Sequence, residues 1–249
     1  MLSPAILAAC ANSQYSSPGN IEMPVEHAFA SRRQASSAVA DRIATLVDAR
    51  LANAGHATFV VSGGSTPGQC FSMLSDKPID WQNVRVALSD ERWVPSDHVD
   101  SNQKLVQDRL LINLATAGEV LSIYDADQSV AERCGALQAA FPKQGFACCM
   151  VGMGGDGHFA SLFPAADGLE VGLDLDGMFF YVPVCTAASP HPRVTMTLAA
   201  LLHSDEIILF FFGDEKFVVY EQAKLATSVL PVAHLLAQQK TPVHVYWAP

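Results

Sequence analysis

The sequence predicts an α/β protein: a doubly wound, mostly parallel sheet with helices on both faces, held in a single domain over residues 21–249. Three observations predict it. Short apolar runs of strand length alternate with stretches of helical spacing, the pattern of a buried parallel sheet crossed by helices. Polar and glycine-rich clusters fall where the apolar runs end, and in such sheets ligands bind outside the carboxyl ends of the strands. No linker rich in Pro, Gly or Ser and no internal repeat divides the 249 residues, a length that one α/β domain can hold.

Residues 33–54 are alanine-rich and carry Ala38, Ile43, Leu46, Val47 and Leu51 on one helical face. Ala57-Thr58-Phe59-Val60-Val61 reads as a buried strand that ends at Ser62-Gly63-Gly64-Ser65-Thr66-Pro67. Pro67 suits a helix start, and residues 68–75 continue as helix. Val84-Arg85-Val86-Ala87-Leu88 is the second strand, closing on Ser89-Asp90-Glu91-Arg92. A helix over 101–114 presents Leu105, Val106, Leu110 and Leu111; Leu121-Ser122-Ile123-Tyr124 follows as strand and 129–141 as helix. Residues 146–151 form the strand that feeds Gly152-Met153-Gly154-Gly155-Asp156-Gly157-His158. Ala160-Ser161-Leu162-Phe163 can open a helix that Pro164 stops. Strands at 178–184 and 194–198, a buried strand at 207–212, a helix from Gly213 through about Ala226 and a last strand at 243–247 complete a Rossmann-like order.

Composition narrows the function classes. Half the residues are hydrophobic, 16% are charged and the net charge is −10, so the chain is compact and globular. An acidic surface argues against a nucleic-acid partner, whose phosphates demand a basic face. It also means that an anionic substrate must be held by a few placed cations and backbone amides. No apolar run reaches the roughly 18 residues of a membrane span. Leu7-Ala8-Ala9-Cys10 looks like a lipoprotein cleavage site. No Lys or Arg precedes it and the apolar run is short, so residues 1–20 read as a flexible leader. The six cysteines form no C-x-x-C pair, and the adjacent Cys148 and Cys149 suit buried thiols in a reducing cytoplasm.

Three clusters carry chemistry. Ser62-Gly63-Gly64-Ser65-Thr66-Pro67 joins two glycines and several hydroxyls to a helix start, where backbone N–H groups and the helix dipole favour an anion. It lacks the Lys of a nucleotide-triphosphate loop, so a single sugar phosphate fits better. Asp90-Glu91-Arg92 sets three charges after a strand, with His98, Ser101 and Asn102 close behind; Arg193 and Lys216 are further cations beside apolar strands. The 152–157 turn matches G-x-G-x-x-G literally. It lacks the small-residue helix and the ribose-binding acid of a dinucleotide site. Asp156 and His158 are its only titratable groups, and an imidazole can take and return a proton near neutrality.

These segments resemble the 6-phosphogluconolactonase family. The matching pieces are Gly63-Gly64-Ser65-Thr66-Pro67, Asp90-Glu91-Arg92 with Ser101-Asn102, Gly152 through Pro164, Arg193-Val194-Thr195, and Gly213 with Lys216. The resemblance implies the fold shared with glucosamine-6-phosphate isomerase, hydrolysis of 6-phospho-D-glucono-1,5-lactone in the pentose phosphate pathway, and no cofactor. It implies that Ser65, Thr66, Arg193 and Lys216 hold the 6-phosphate, with Arg92 a further candidate and Asp90 a candidate for the sugar hydroxyls. Gly63, Gly64 and Gly154 would border the substrate. The isomerases carry Asn-Glu-Pro after the Asp-Gly-His turn and an aromatic after Asp-Glu. This chain has Ser161-Leu162-Phe163-Pro164 and Arg92 instead, which favours the lactonase.

On this reading His158 deprotonates a water that attacks C1 and then protonates the leaving ring oxygen. Amides of the 152–157 turn stabilise the oxyanion. Asp156 either orients His158 or binds a sugar hydroxyl. A Ser161 nucleophile is the runner-up, without a nucleophile elbow or an evident third partner. Isomerase-type aldose–ketose chemistry and a non-catalytic sugar-phosphate sensor are the alternatives, the sensor opposed by the lack of a basic face. No metal is expected, since His98, His158 and His191 show no helical ligand spacing. The expected partner is the small-molecule lactone alone, bound by a monomer or small homo-oligomer.

Overall fold

A computed structural model describes residues 23–187 and 189–249; the leader expected over 1–20 lies outside them. The chain opens with β1 (Val25–Ala28), α1 (Arg32–Ala54), β2 (Ala57–Val61), α2 (Gly68–Leu74) and β3 (Val84–Leu88). β4 (Asp90–Arg92), α3 (Asn102–Arg109), β5 (Glu119–Val120), α4 (Val130–Ala139) and β6 (Cys149–Val151) follow. Then come α5 (Leu169–Leu173), β7 (Tyr181–Val184), β8 (Arg193–Met196) and α6 (Leu198–Leu201). The chain ends with β9 (Ile207–Phe212), α7 (Asp214–Ala223), α8 (Pro231–Ala237) and β10 (Val243–Ala248).

Seven strands form one sheet in the order β1-β10-β9-β6-β2-β3-β5, and every pairing in it is parallel. From β2 the chain steps outward to β3 and β5. It then returns across β2 to β6 and steps the other way to β9 and β10. Right-handed crossovers therefore put α1, α2 and α3 on one face and α4, α7 and α8 on the other. The direction reverses between neighbouring β2 and β6, and the loops leaving them part and open a crevice. One hydrophobic core runs from Ala35 to Ala248 and includes Phe59, Phe146, Phe210 and Phe211. No helix among the described residues is long and apolar enough to cross a membrane.

Several elements differ from the sequence reading, each for a local reason. The strand expected at 121–124 does not form: β5 ends just before it at Val120, and the Arg133 guanidinium takes the carbonyls of Ser122 and Ile123 (2.6 and 2.8 Å). The helix expected from Ala160 does not form. Ala160 has φ +47°, and the Ser161 N–H donates to Thr195 Oγ1. The helix over 101–114 stops at Arg109, and the strand over 146–151 narrows to β6, with Phe146 bridging Ser204. The 178–184 and 194–198 strands shrink to β7 and β8. These leave the main sheet and pair antiparallel with β4 as β4-β8-β7. Pro183 is tolerated because β7 is an edge strand. β1, α5, α6 and α8 have no counterpart in the sequence reading.

Candidate active site

The crevice at the carboxyl ends of β2 and β6 is a cavity of about 350 Å³. Ten of the eleven residues singled out in the sequence line it: Gly63, Gly64, Ser65, Thr66, Asp90, Arg92, Gly154, His158, Arg193 and Lys216. The eleventh, Asp156, stands behind His158. Segments distant in the chain close up here because β9, β6, β2 and β3 are successive neighbours in the sheet and β4 pairs with β8 beside them.

On the β2 side, Gly64 turns the chain at φ +96°. Gly63 allows a close approach: a Cβ there would lie 1.9 Å from Asn102 Oδ1. Among the described residues, the N–H groups of Gly63, Gly64, Ser65 and Thr66 donate to no protein acceptor. They form an anion-ready turn at the start of α2.

The β6 side holds the imidazole–carboxylate pair. His158 Nδ1 is 2.5 Å from Asp156 Oδ1, and the His158 N–H also donates to that oxygen (3.2 Å). An ionised carboxylate can only accept, so Nδ1 carries a proton, and in the neutral ring the lone pair is on Nε2. Burial pushes the Asp156 carboxyl up. The His158 amide, attraction to the imidazole and the ring N–H outweigh burial and hold it below the usual carboxylate range. Phe163 packs on the imidazole with ring centroids 4.2 Å apart. Gly154 is again a matter of room, since a Cβ there would lie 2.2 Å from His158 Nδ1. The turn's own bonding limits its use as an oxyanion hole. Gly154 N–H donates to the His158 carbonyl (2.8 Å) and Gly157 N–H to the Gly154 carbonyl (3.1 Å). That leaves the amides of Gly152, Met153 and Gly155.

The cations come from three elements. Arg92 ends β4 and its Nη1 donates to Asn102 Oδ1. Asn102 Nδ2 in turn donates to the Asp90 carbonyl (2.8 Å). Arg193 opens β8, cross-strand from Arg92. Its Nη1 reaches Asp90 Oδ2 (3.3 Å) and Ser161 Oγ (3.2 Å), and its guanidinium lies 5.2 Å from the Phe163 ring centre. Lys216 comes from the first turn of α7; burial pushes its ammonium pKa down, and the Asp156 charge partly opposes this. Among the described residues, neither Arg92 nor Lys216 has an ion-pair partner, so both charges are available to a ligand.

Asp90 is buried and fully engaged. Oδ2 accepts from Ser161 Oγ (2.5 Å) and Arg193, and Oδ1 from Ser89 Oγ (2.9 Å). The carboxylate thus anchors Arg193, a role its sequence position did not suggest. Glu91 also turns inward, accepting from the N–H groups of Arg92, Asn102 and Gln103 and from Ser101 Oγ (2.7–3.0 Å). Burial pushes its carboxyl pKa up against those four bonds. It ties β4 to the start of α3 and so fixes Arg92 and Asn102. Ser161 is fully buried and hydrogen-bonded to Asp90 and Arg193, with no imidazole on its hydroxyl, which disfavours it as a nucleophile. A larger cavity, about 510 Å³, lies beside α4. Its arginines are spent on Asp205, Glu119, Asp125 and backbone carbonyls, and it contains none of the sequence-predicted residues.

Comparison with known proteins bears on this geometry. Residues 30–247 match the family model described as glucosamine-6-phosphate isomerases/6-phosphogluconolactonase. A 6-phosphogluconolactonase of Mesorhizobium japonicum is 36% identical over 225 residues, 90% of this chain and 94% of its own. That of Neisseria meningitidis serogroup A is 33% identical over 91% of this chain and all of its own. The crystal structure of a 6-phosphogluconolactonase from Shewanella baltica superposes with TM-score 0.84 at 35% identity, covering 92% of this chain and 99% of that one. A monomeric glucosamine-6-phosphate deaminase shares the fold, with TM-score 0.70 at 15% identity.

Proposed function

The chain belongs to the family of glucosamine-6-phosphate isomerases and 6-phosphogluconolactonases, and from that membership we propose that it hydrolyses 6-phospho-D-glucono-1,5-lactone to 6-phospho-D-gluconate. The observation that carries the reading is one cavity with a carboxylate-anchored imidazole at one end and unpaired cations at its rim. The lactone is an activated ester with a phosphate handle. It needs orientation and a proton carrier more than a covalent nucleophile.

His158 Nε2 takes a proton from water as the water oxygen bonds to C1. The carbonyl oxygen gains the negative charge and is met by free amides of the 152–157 turn. As the tetrahedral intermediate collapses, the C1–ring oxygen bond breaks and the imidazolium returns the proton to the leaving oxygen. Asp156 holds the tautomer throughout, the orienting role being the one its hydrogen bonds support. The amides of Ser65 and Thr66, with Arg92, Arg193 and Lys216, grip the 6-phosphate. Phe163 occupies the flank of His158 where an isomerase would need its second carboxylate, which favours ester opening over proton shuttling between carbons. The buried thiols of Cys70, Cys134, Cys148 and Cys149 suit a cytoplasmic enzyme.

Acid release from freshly prepared lactone, run beside ammonia release from glucosamine 6-phosphate, tests the assignment. We expect turnover of the lactone alone, abolished or nearly so in His158→Ala. Turnover of the amino sugar would favour the isomerase chemistry, and binding without turnover of either would favour the sensor.

A further inference from the structure

Two histidines and an aspartate, distant in sequence, converge on the side of the cavity rim that carries Arg92 and Arg193. His98 and Asp100 lie between β4 and α3, and His191 sits between two prolines just before β8. His191 Nε2 is 3.0 Å from Asp100 Oδ2, and His98 Nδ1 is 3.8 Å from that same oxygen. One ligand atom from each residue lies within 4.8 Å of the other two. In a tetrahedral zinc site with bonds of about 2.0–2.1 Å, ligand atoms stand roughly 3.3 Å apart. The observed triangle brackets that spacing, so small side-chain rotations would close it.

We propose that His98, Asp100 and His191 bind a divalent transition metal of the zinc class, at a site separate from the His158–Asp156 pair. Two imidazoles and one carboxylate are a borderline-soft donor set, suited to zinc and its neighbours rather than to calcium or magnesium. All three side chains reach solvent, with exposures of 39%, 50% and 27%, so an ion can enter and water can complete its shell. Binding exchanges two modest contacts for metal bonds: the His191–Asp100 hydrogen bond and the Asp100 N–H to His98 Nδ1 bond (3.1 Å). The flanking Pro190 and Pro192 restrict the backbone that presents His191. A bound ion would clip the β4–α3 loop to the entry of β8, fastening together the segments that carry Arg92, Asn102 and Arg193.

Zinc chloride titrated into the tag-free, chelator-stripped full-length protein, followed by calorimetry, tests this without reference to activity. One saturable zinc ion per chain is expected. Removing an outer-sphere partner of a metal costs about 10–100-fold in affinity, so His98→Ala and His191→Ala should each weaken binding at least about tenfold. Asp100→Asn guards against a folding artefact and should do the same, while His158→Ala leaves binding unchanged. Cobalt in place of zinc should give a tetrahedral visible spectrum that His191→Ala abolishes. Absence of saturable binding below about 1 mM, equal affinity in all variants, or loss in His158→Ala alone would each overturn the proposal.

Discussion

Replacing Gly154 with Ala isolates the alignment of the proton carrier from everything else in the fold. The added Cβ would lie 2.2 Å from His158 Nδ1 and 2.7 Å from Asp156 Oδ1. Ordinary van der Waals contact begins near 3.4 Å, so the imidazole must retreat by about 1 Å, breaking the 2.5 Å bond to Asp156. A misplacement of about 1 Å can cost roughly 100-fold, and a positioned acid–base group contributes about 10²–10⁴. We therefore expect kcat to fall by about 10²–10³. KM should stay within about threefold, because Arg92, Arg193, Lys216 and the 65–66 amides are untouched. Side-chain rotation relieves the clash cheaply, so the melting temperature should drop by only a few degrees. Gly155→Ala is the matched control, since a Cβ there meets nothing within 4 Å, and should retain wild-type turnover. Initial rates on fresh lactone, corrected for spontaneous opening, measure both variants. A Gly154→Ala enzyme within about threefold of wild-type kcat would refute the placement of His158 as proton carrier.

Three further outcomes follow from named contacts. Lys216→Ala should raise KM with little change in kcat. Because burial lowers the Lys216 pKa, its charge is lost on raising pH before that of an ordinary lysine; calorimetric affinity for 6-phosphogluconate should weaken there, and Lys216→Arg should move the loss to higher pH. Glu91→Ala strands the acceptor-less N–H groups of Asn102 and Gln103 at the start of α3. It should cost about 2–4 kcal/mol, or roughly 5–15 °C in Tm, read by thermal unfolding. Phe163→Leu removes the ring that touches both His158 and the Arg193 guanidinium. With about 0.5–2 kcal/mol in the cation–π contact, it should lower kcat and raise KM together, whereas a change in only one would assign the ring to one partner.

The parts legible in the sequence were those governed by local pattern. β2, β3 and β9 have the predicted bounds because continuous apolar runs bounded by polar turns leave little choice of register or length. That most of the candidate residues would share one cavity was legible because many of them sit at strand ends, where a parallel sheet puts its ligands. What stayed hidden depends on long-range contacts. The small β4-β8-β7 sheet joins Asp90 to Thr195 across about a hundred residues, and no local periodicity encodes that pairing. The inward turn of Asp90 and Glu91 was equally illegible: the Asp-Glu-Arg run marked a ligand-binding cluster, not the bonds of Asp90 to Ser89, Ser161 and Arg193 or of Glu91 to the start of α3. The absent helix at 160–163 is a case of tertiary bonds overriding spacing: Thr195 and Asp90 claim the amide and hydroxyl of Ser161.

On the proposed mechanism, that non-helical segment gives a physical reason for Ser161-Leu162-Phe163-Pro164 to favour the lactonase over the isomerase chemistry. Ser161 hydrogen-bonds the Asp90–Arg193 pair, and Phe163 packs on both Arg193 and His158. One short stretch thus braces Arg193 and His158, the phosphate-side cation and the proton carrier of the proposed mechanism, together. A carboxylate in place of an apolar residue here would face the guanidinium and the imidazole at once. It would attract the cation away from an incoming phosphate while adding a second proton acceptor beside His158. The proposed lactone hydrolysis needs the opposite: a cation left for the phosphate and a single imidazole that takes its proton only from water and gives it only to the ring oxygen. The segment therefore favours hydrolysis through the charge it withholds as much as through the contacts it makes.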